Sequence, residues 1–511
     1  MPIPDRACHG VEPLDEANRQ LLDNVHPSDW INPVPAAHYH LVVVGAGTGG
    51  LVSASIAAGL GARVALVERH LMGGDCLNVG CVPSKGVIGA ARSWQAAAES
   101  SATFGGPAVA GPADFAAATA RMRRLRAGIS ALDGADRFRG LGVDVFLGEG
   151  RFTGRDTVAV DGQPLRFGRA VIATGARAAV PPIPGLESAG YLTNETIFNL
   201  TELPRRLLVL GGGPVGCELA QAFARFGSVV TLVTQGERIL PREDADAARV
   251  VERSMEGHGV RFLYRATATR LEPRDGGMLL HLTQDGRDQQ LEGDRLLVAV
   301  GRAPNVEGLG LEAAGVRFDR KGVSVDDRLR TSNPRIFAVG DICSRYQFTH
   351  AADAGARLVV ANALFHGAGG GKTSRLVIPW VTYTTPEVAH VGMGQPDAVE
   401  AGHKVQSFTV PMREVDRAVL DGQSEGFLRI HLKAGTDRIL GATLVAEHAG
   451  ELIGEIVLAM TAGIGLAKIG ATIHPYPTQG EVFRKAADAW RRTKLTPAAR
   501  RIFRAFFRLT G

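Results

Sequence analysis

The sequence predicts an α/β protein with two dinucleotide-binding domains of Rossmann-like architecture and a C-terminal α+β domain. Three observations carry this. A buried strand, a glycine turn, a helix and a second strand follow one another in HLVVVGAGTGGLVSASIAAGLGARVALVE, which ends at Glu68. The same order recurs from Leu207 in LLVLGGGPVGCELAQAFARFGSVVTLVT. From Val377 the character changes, with strand signals in VTYTTPEVAHVG, FLRIHL and ILGATLV followed by an apolar helix from Gly450 to Gly463. A chain of 511 residues is also too long for one hydrophobic core, and at ~100–200 residues per domain it predicts three or four domains.

Taken in order, the first ~38 residues are polar, contain prolines and show no sustained periodicity. Cys8 and His9 lie here, fewer ligands than the three or four a zinc site needs, and no function is assigned to them. In the first glycine unit, Gly45 permits the tight turn, Gly47 lets backbone approach a pyrophosphate, and Gly50 lets helix and strand pack closely, with the phosphate at the helix N-terminus. Glu68, at the end of the second strand, is placed for a ribose hydroxyl. A strand before, a helix after and this acid together favour a dinucleotide site over a packing motif.

Thirteen residues, Gly73 to Lys85, read GGDCLNVGCVPSK and hold Cys76 and Cys81 four residues apart. Sulfurs so close in sequence can close a small ring, and flanking glycines let them face a cofactor. A helix beginning near Pro83 lowers a cysteine pKa from its usual ~8.5, and thiolate is the reactive form. Two buried thiols or half of a metal site fit the same spacing; the neighbouring motifs decide for a redox pair.

Helices are expected over Val87–Ala102 and Phe115–Ala131. RAVIATGARAAVPPIPG ends a strand at Ala173-Thr174-Gly175, small residues that allow backbone to pass close to a nucleotide. In the second glycine unit, Gly211, Gly213 and Gly216 repeat the turn logic, and two nucleotide sites imply two cofactors. Thr234-Gln235 replaces the acid that favours an unphosphorylated ribose, and Arg238 just beyond is placed to meet a 2′-phosphate, so NADPH is expected, with NADH the alternative. Asp341 in RIFAVGDICSR fits a polyol hydroxyl of a long cofactor, a surface cap being the plainer role. HGAGGGKTS reads as a linker; it shares only the spelling of a phosphate loop, without the strand and helix that loop requires, and ATP binding is not expected. In IHPYPTQGE, Tyr476 and Glu481 stand five residues apart and His474 reads as structural. Cys217 and Cys343 read as small buried residues rather than redox centres.

Composition bounds the setting. Hydrophobic residues make up 45% and charged residues 21%, ordinary for a globular protein, while 64 glycines point to many tight turns. Five cysteines do not make a secreted disulfide scaffold. With early acids and no apolar stretch, the N-terminus is unlike a secretory signal, so a cytoplasmic enzyme without transmembrane helices is expected. The net charge of +5 conceals seven cations and no acid in the last 21 residues, which leaves the remainder near −2. That excludes a broad nucleic-acid surface and confines any anionic partner to the tail.

The redox motif, two GxGxxG units in order, ATG, AVGD, YTTPEVAHVG and PYPTQGE together resemble the class I pyridine nucleotide-disulfide oxidoreductases, the flavoprotein group of dihydrolipoamide dehydrogenase, glutathione reductase and mercuric reductase. The resemblance covers about residues 39 to 490. It implies FAD on the first dinucleotide fold (39–185 and 306–372), NAD(P)H on the second (186–305) and a dimerisation domain at 373–490 that forms a homodimer with a shared active site; residues 1–38 and 491–511 flank these. Hydride would pass from nicotinamide to flavin, and from flavin to the disulfide. Cys81 would be the flavin-proximal sulfur and Cys76 the interchange thiol, with Lys85 near the reactive flavin nitrogen and paired to Glu218. Gly74, Thr174, Gly175 and Asp341 join Gly45, Gly47, Gly50 and Glu68 around FAD; Gly301 joins Gly211, Gly213, Gly216, Gln235 and Arg238 around NAD(P).

Disulfide-reducing relatives place a histidine before the proline of HPT, supported by a glutamate five residues later. Here Tyr476 takes the histidine position and Glu481 is retained. A phenol of pKa ~10 is a poor base near neutrality, where imidazole at ~6.5 is well matched. Tyrosine here is similar to mercuric reductase, whose soft-metal acceptor needs thiolates more than a proton donor, although that family's C-terminal cysteine pair is missing, since the last cysteine is Cys343. The expected acceptor is a soft metal ion such as Hg(II), a quinone or a similar small molecule. A dihydrolipoamide dehydrogenase-like enzyme, or a membrane-associated component that reduces a protein, is the alternative.

In the tail, Leu495–Gly511, a helix places Ala499, Ile502, Phe503, Phe506 and Leu509 on one face and Arg500, Arg501, Arg504 and Arg508 on the other. Packing on the dimer domain and docking at an anionic membrane surface both suit it.

Overall fold

A computed structural model describes residues 9–109, 111–365 and 370–510; Cys8 and part of the glycine-rich linker lie outside them. The chain divides into two compact units, one formed by Met1–Glu237 with Val260–Leu376, the other by Arg238–Gly259 with Val377–Gly511.

The first unit holds two parallel sheets. In one, the strands run in the order Val143–Leu147, Val64–Glu68, Tyr39–Val44, Gln163–Ile172, with Ile336–Ala338 also on Gln163–Ile172. Leu41, Val42 and Val43 are fully buried, as a parallel strand flanked on both faces requires. Gln163–Ile172 continues antiparallel into Thr157–Val160 and Gly150–Gly154. The second sheet runs Arg261–Leu263, Val229–Val233, Arg206–Leu210, Arg295–Val298, all parallel. A meander of Ala266–Arg274, Gly277–Gln284 and Arg287–Gly293 stands beside it.

Two local departures from the sequence pattern have clear causes. The polar N-terminal stretch contains a helix, Glu16–Val25, whose Asp15 side chain caps the Asn18 N–H at 2.9 Å and whose Leu21 and Val25 are buried. So short an apolar stripe is invisible to periodicity until its partner is known; here Arg123 reaches Asp15 at 2.6 Å. The helix expected from Val87 begins at Cys81 and runs to Phe104, because Pro83 is tolerated in a first turn, where its missing N–H has no intrahelical acceptor.

In the second unit an antiparallel sheet runs Pro379–Thr382, Glu387–Gly392, Ile439–Ala446, Phe427–Lys433, Val405–Pro411. The apolar stretch after it forms two short helices, Ala449–Leu452 and Gly454–Thr461. Residues 238–259, which in sequence join two strands of the second parallel sheet, belong to this unit. Arg429 donates to Asp244 and Asp246 at 3.0 Å, and Trp380 Nε1 donates to Glu243 at 2.7 Å. The tail forms a helix, Pro497–Thr510, in which no residue is buried. Among the described residues no helix is long and apolar enough to cross a membrane.

Candidate active site

Several segments of the first unit, far apart in sequence, meet at the cysteine pair. Cys76 sits in the short helix Gly74–Asn78, and Cys81 is the first residue of the long helix Cys81–Phe104. Both are free thiols, hydrogen-bonded to each other. Their chemistry diverges. The hydrogen bond from Cys76, the contact with the Thr349 hydroxyl at 3.3 Å and the charge of Lys85 pull the Cys81 thiol down to about 6, against the opposing effect of burial. The same hydrogen bond between the sulfurs, with burial, pushes Cys76 up. The pair therefore holds one thiolate and one thiol near neutrality.

The loop between the sulfurs is held from three sides. Asp75 accepts from Asn194 at 2.9 Å and from Arg302 at 3.3 Å. Asn194 also donates to the Val79 carbonyl at 3.2 Å. Arg126, fully buried and drawn down to about 10 by that burial, donates to the Asn78 carbonyl at 2.6 Å and to Asn18 at 2.7 Å. Lys85, one turn past Cys81, is 2.9 Å from buried Glu218 on the helix Pro214–Phe226, so the lysine and glutamate of two distant motifs are brought together.

The glycine turns show why those positions lack side chains. At Gly45, with φ +103°, an added Cβ would lie 2.4 Å from the Ala173 carbonyl, and at Gly50 it would lie 1.8 Å from that of Gly45. At Gly74 it would lie 2.6 Å from the Gly47 Cα, so backbone faces backbone at the start of the helix Thr48–Gly59. Glu68 accepts from the Ala46 N–H at 2.6 Å and from His70 at 2.8 Å. Thr174 donates to the Asn305 carbonyl at 3.0 Å, and an added Cβ at Gly175 meets nothing within 4 Å. Asp341 lies 3.2 Å from Arg302, and burial raises its pKa. Arg302 thus links the cysteine loop to Asp341.

In the second turn an added Cβ at Gly211 would lie 2.3 Å from the Ala299 carbonyl and at Gly216 2.0 Å from that of Gly211, while Gly213 and Gly301 face open space. Gln235 is exposed after the strand Val229–Val233. Arg238 donates to the Leu240 and Pro241 carbonyls at 2.8 and 2.9 Å, which ties its guanidinium to its own turn.

In the second unit Tyr476 is 70% exposed, and its hydroxyl donates to Asp416 at 2.8 Å, which raises the phenol above its usual pKa. Glu481 is buried, with Arg484 at 2.6 Å, so the two residues do not bond each other. His474 pairs with Glu455 at 3.0 Å. Elsewhere, burial pushes Cys343 up to about 12, and Cys217 is fully buried against the Gly212 carbonyl. The described end of the glycine-rich linker is held by Asp327, which accepts from Thr373 at 2.8 Å and Ser374 at 2.7 Å. Among the described residues no group of three or more His, Cys, Asp or Glu is placed to hold a metal ion.

Thr349, Asn194, Arg302 and Arg126 escaped the sequence reading. Each acts across a long sequence separation without a motif of its own; only Arg302, directly after Gly301, lies beside a residue already singled out.

Residues 39–356 match the family model described as pyridine nucleotide-disulphide oxidoreductase, and 378–487 match its dimerisation domain. The chain is 33% identical over 489 residues to a mercuric reductase of Lysinibacillus sphaericus, covering 94% of this chain and 89% of that protein. It is 35% identical over 463 residues to a dihydrolipoyl dehydrogenase of Thermus scotoductus, covering 88% and 97%. Among solved structures, the HOCl-induced flavoprotein disulfide reductase RclA of Escherichia coli, in its Cu(II) complex, aligns with a TM-score of 0.78 at 29% identity over 89% of this chain and 100% of that one.

Proposed function

The chain belongs to the pyridine nucleotide-disulphide oxidoreductases, flavoenzymes that use FAD and NAD(P)H, and from that premise we propose that it reduces a soft metal ion, Hg(II) or Cu(II), at Cys76 and Cys81. FAD fits the residues present: the Cβ-free approach of Gly47 to Gly74 leaves a backbone cradle at a helix N-terminus, where a pyrophosphate is favoured, with Glu68 and Asp341 as hydroxyl acceptors. When bound, FAD supplies two-electron exchange between the nicotinamide and sulfur.

The chain's own residues do the rest. Lys85 holds positive charge beside the Cys81 sulfur, and Thr349 holds a hydroxyl there. Cys76 keeps its proton until a soft cation displaces it, since metal binding deprotonates a thiol. Two sulfurs then hold the ion. As the sulfur–sulfur bond forms, two electrons leave the pair, enough for one Hg(II) to Hg(0) or two Cu(II) to Cu(I).

The observation that favours a metal ion over a disulfide is Tyr476. Its phenol, bonded to Asp416 and raised in pKa, is no base at neutral pH, whereas thiol–disulfide exchange needs one. The mercuric reductase relative and the Cu(II) complex of the structural relative support the same reading. An acceptor panel of Hg(II), Cu(II), lipoamide and oxidised glutathione with NADPH and NADH tests it; fast lipoamide or glutathione turnover with none for the metals would refute it.

The tail helix extends the reading to location. Phe503, Phe506 and Leu509 are 50, 55 and 87% exposed, opposite four arginines and without a compensating acid in the last 21 residues. Such a helix suits an anionic lipid surface. Sedimentation with phosphatidylglycerol vesicles should pull down the full chain and not one lacking 495–511; equal sedimentation would rule the contact out.

A further inference from the structure

The N-terminal segment, which precedes the residues matched by the family model, is tied to the cysteine loop side chain by side chain. Arg123 and Arg126 stand one turn apart on the helix Phe115–Ser130 and are both buried. They meet Asp15 and Asn18, one turn apart at the N-terminal end of the helix Glu16–Val25. Arg123 Nε donates to Asp15 at 2.6 Å, and Arg126 Nη2 donates to Asn18 Oδ1 at 2.7 Å. A buried guanidinium is costly unless it is hydrogen-bonded. The bonds of Arg126 go to neutral oxygens, that of Asn18 and, at 2.6 Å, the Asn78 carbonyl between the two cysteines. Asn78 in turn donates to the Met72 and Gly74 carbonyls at 3.0 and 2.9 Å, which closes the turn where the loop begins. Backbone and core make a second connection: the Val25 carbonyl accepts from the Met72 N–H at 3.2 Å, and Leu21 and Val25 share a core cluster with Leu71, Met72 and Leu77.

We propose that Asn18 and Arg126 are positioning residues for Cys76 and Cys81, and that the N-terminal segment is a brace which keeps the two sulfurs within bonding reach of each other. The proposal rests on the reading of Cys76 and Cys81 as the redox pair and on no particular acceptor. Two thiols join readily when the chain between them is already ordered, whereas a loose chain must be ordered as the S–S bond forms. Without the Asn18 oxygen, Arg126 is left with a buried donor to satisfy and is drawn away from the Asn78 carbonyl. Residues 77–80 then gain freedom in the dithiol, and the disulfide loses stability relative to it. Exchange with dithiothreitol reports that difference. The enzyme's S–S bond breaks as that of oxidised dithiothreitol forms; two electrons pass to the sulfurs, one of dithiothreitol's two protons goes to Cys76 and the other to solvent.

Three variants test it. Asn18→Leu removes the acceptor with a side chain of similar size, and Asn18→Asp keeps it. Leu21→Ala takes apolar packing from the same helix, where Leu21 is fully buried, and leaves the Asn18 oxygen in place. The holoenzymes are equilibrated with mixtures of reduced and oxidised dithiothreitol, and the alkylated thiols are located by mass spectrometry. Asn18→Leu should shift the equilibrium constant toward the dithiol at least threefold. Asn18→Asp and Leu21→Ala should shift it less than 1.5-fold, although Leu21→Ala lowers the melting temperature. Asn18→Ala, which introduces no bulk, should match Asn18→Leu and stands in for it should the leucine variant not fold. Equal constants in the wild type and these two variants, or as large a shift in Asn18→Asp or Leu21→Ala, would overturn the proposal. A wild type without a Cys76–Cys81 disulfide under oxidising conditions would refute the reading of the pair and the brace with it, whereas a disulfide indifferent to Asn18 would refute the brace alone.

Discussion

Thr349→Val keeps the side-chain shape and deletes the hydroxyl 3.3 Å from the Cys81 sulfur. Hydrogen bonds to charged groups contribute about 1.5–3 kcal/mol, and sulfur, a weak acceptor, belongs at the lower end. Since about 1.4 kcal/mol is one pKa unit, the Cys81 thiol should rise from about 6 by about one unit. At pH 6.5 the thiolate fraction would then fall from about three quarters to about one quarter. The assay is a pH titration of the two-electron-reduced enzyme, read through the long-wavelength absorbance of thiolate beside flavin. A midpoint shifted upward supports the account. A midpoint that stays in place would show that Thr349 does not hold the thiolate, and the assignment of Cys81's acidity to this cluster would fail.

Glu243 provides a prediction on stability. Burial, only partly opposed by the hydrogen bond from Trp380, raises it to about 7 from 4.5. A raised folded-state pKa contributes stability that is fully present below pH 4.5 and lost as pH climbs through 7, worth up to about 3 kcal/mol. Glu243→Gln should therefore shrink the drop in melting temperature between pH 5 and pH 8; an unchanged drop would place the pH dependence elsewhere. Tyr476→His should restore a base of suitable pKa and raise lipoamide-dependent NADH oxidation at least tenfold over a slow wild type, and if the wild type is already fast, the reading of Tyr476 is wrong.

The parts of the molecule that follow local rules were legible in the sequence. Gly45 and Gly211 lie where a Cβ collides with a neighbouring carbonyl, a constraint that a glycine turn between strand and helix announces directly. The Lys85–Glu218 contact at 2.9 Å was reachable only through the resemblance, because 133 residues separate the two. What could not be read was set by tertiary structure. Arg302 joins Asp75 and Asp341 from a position ordinary in its own segment. Residues 238–259 look continuous with the second nucleotide unit, yet the acids at 244 and 246 find Arg429. The contacts of Asp15 with Arg123 and of Asn18 with Arg126 need the faces of two helices at once, and periodicity describes each helix alone.

In the proposed reaction Cys76 and Cys81 carry electrons from NAD(P)H to a soft metal ion. Its most direct test is Hg(II)- and Cu(II)-dependent NADPH oxidation by the wild type, Cys76→Ser and Cys81→Ser, each checked for full flavin content. Turnover is expected in the wild type, with a loss of at least a hundredfold in both variants. Metal-dependent oxidation that continues at the wild-type rate in either serine variant would contradict it.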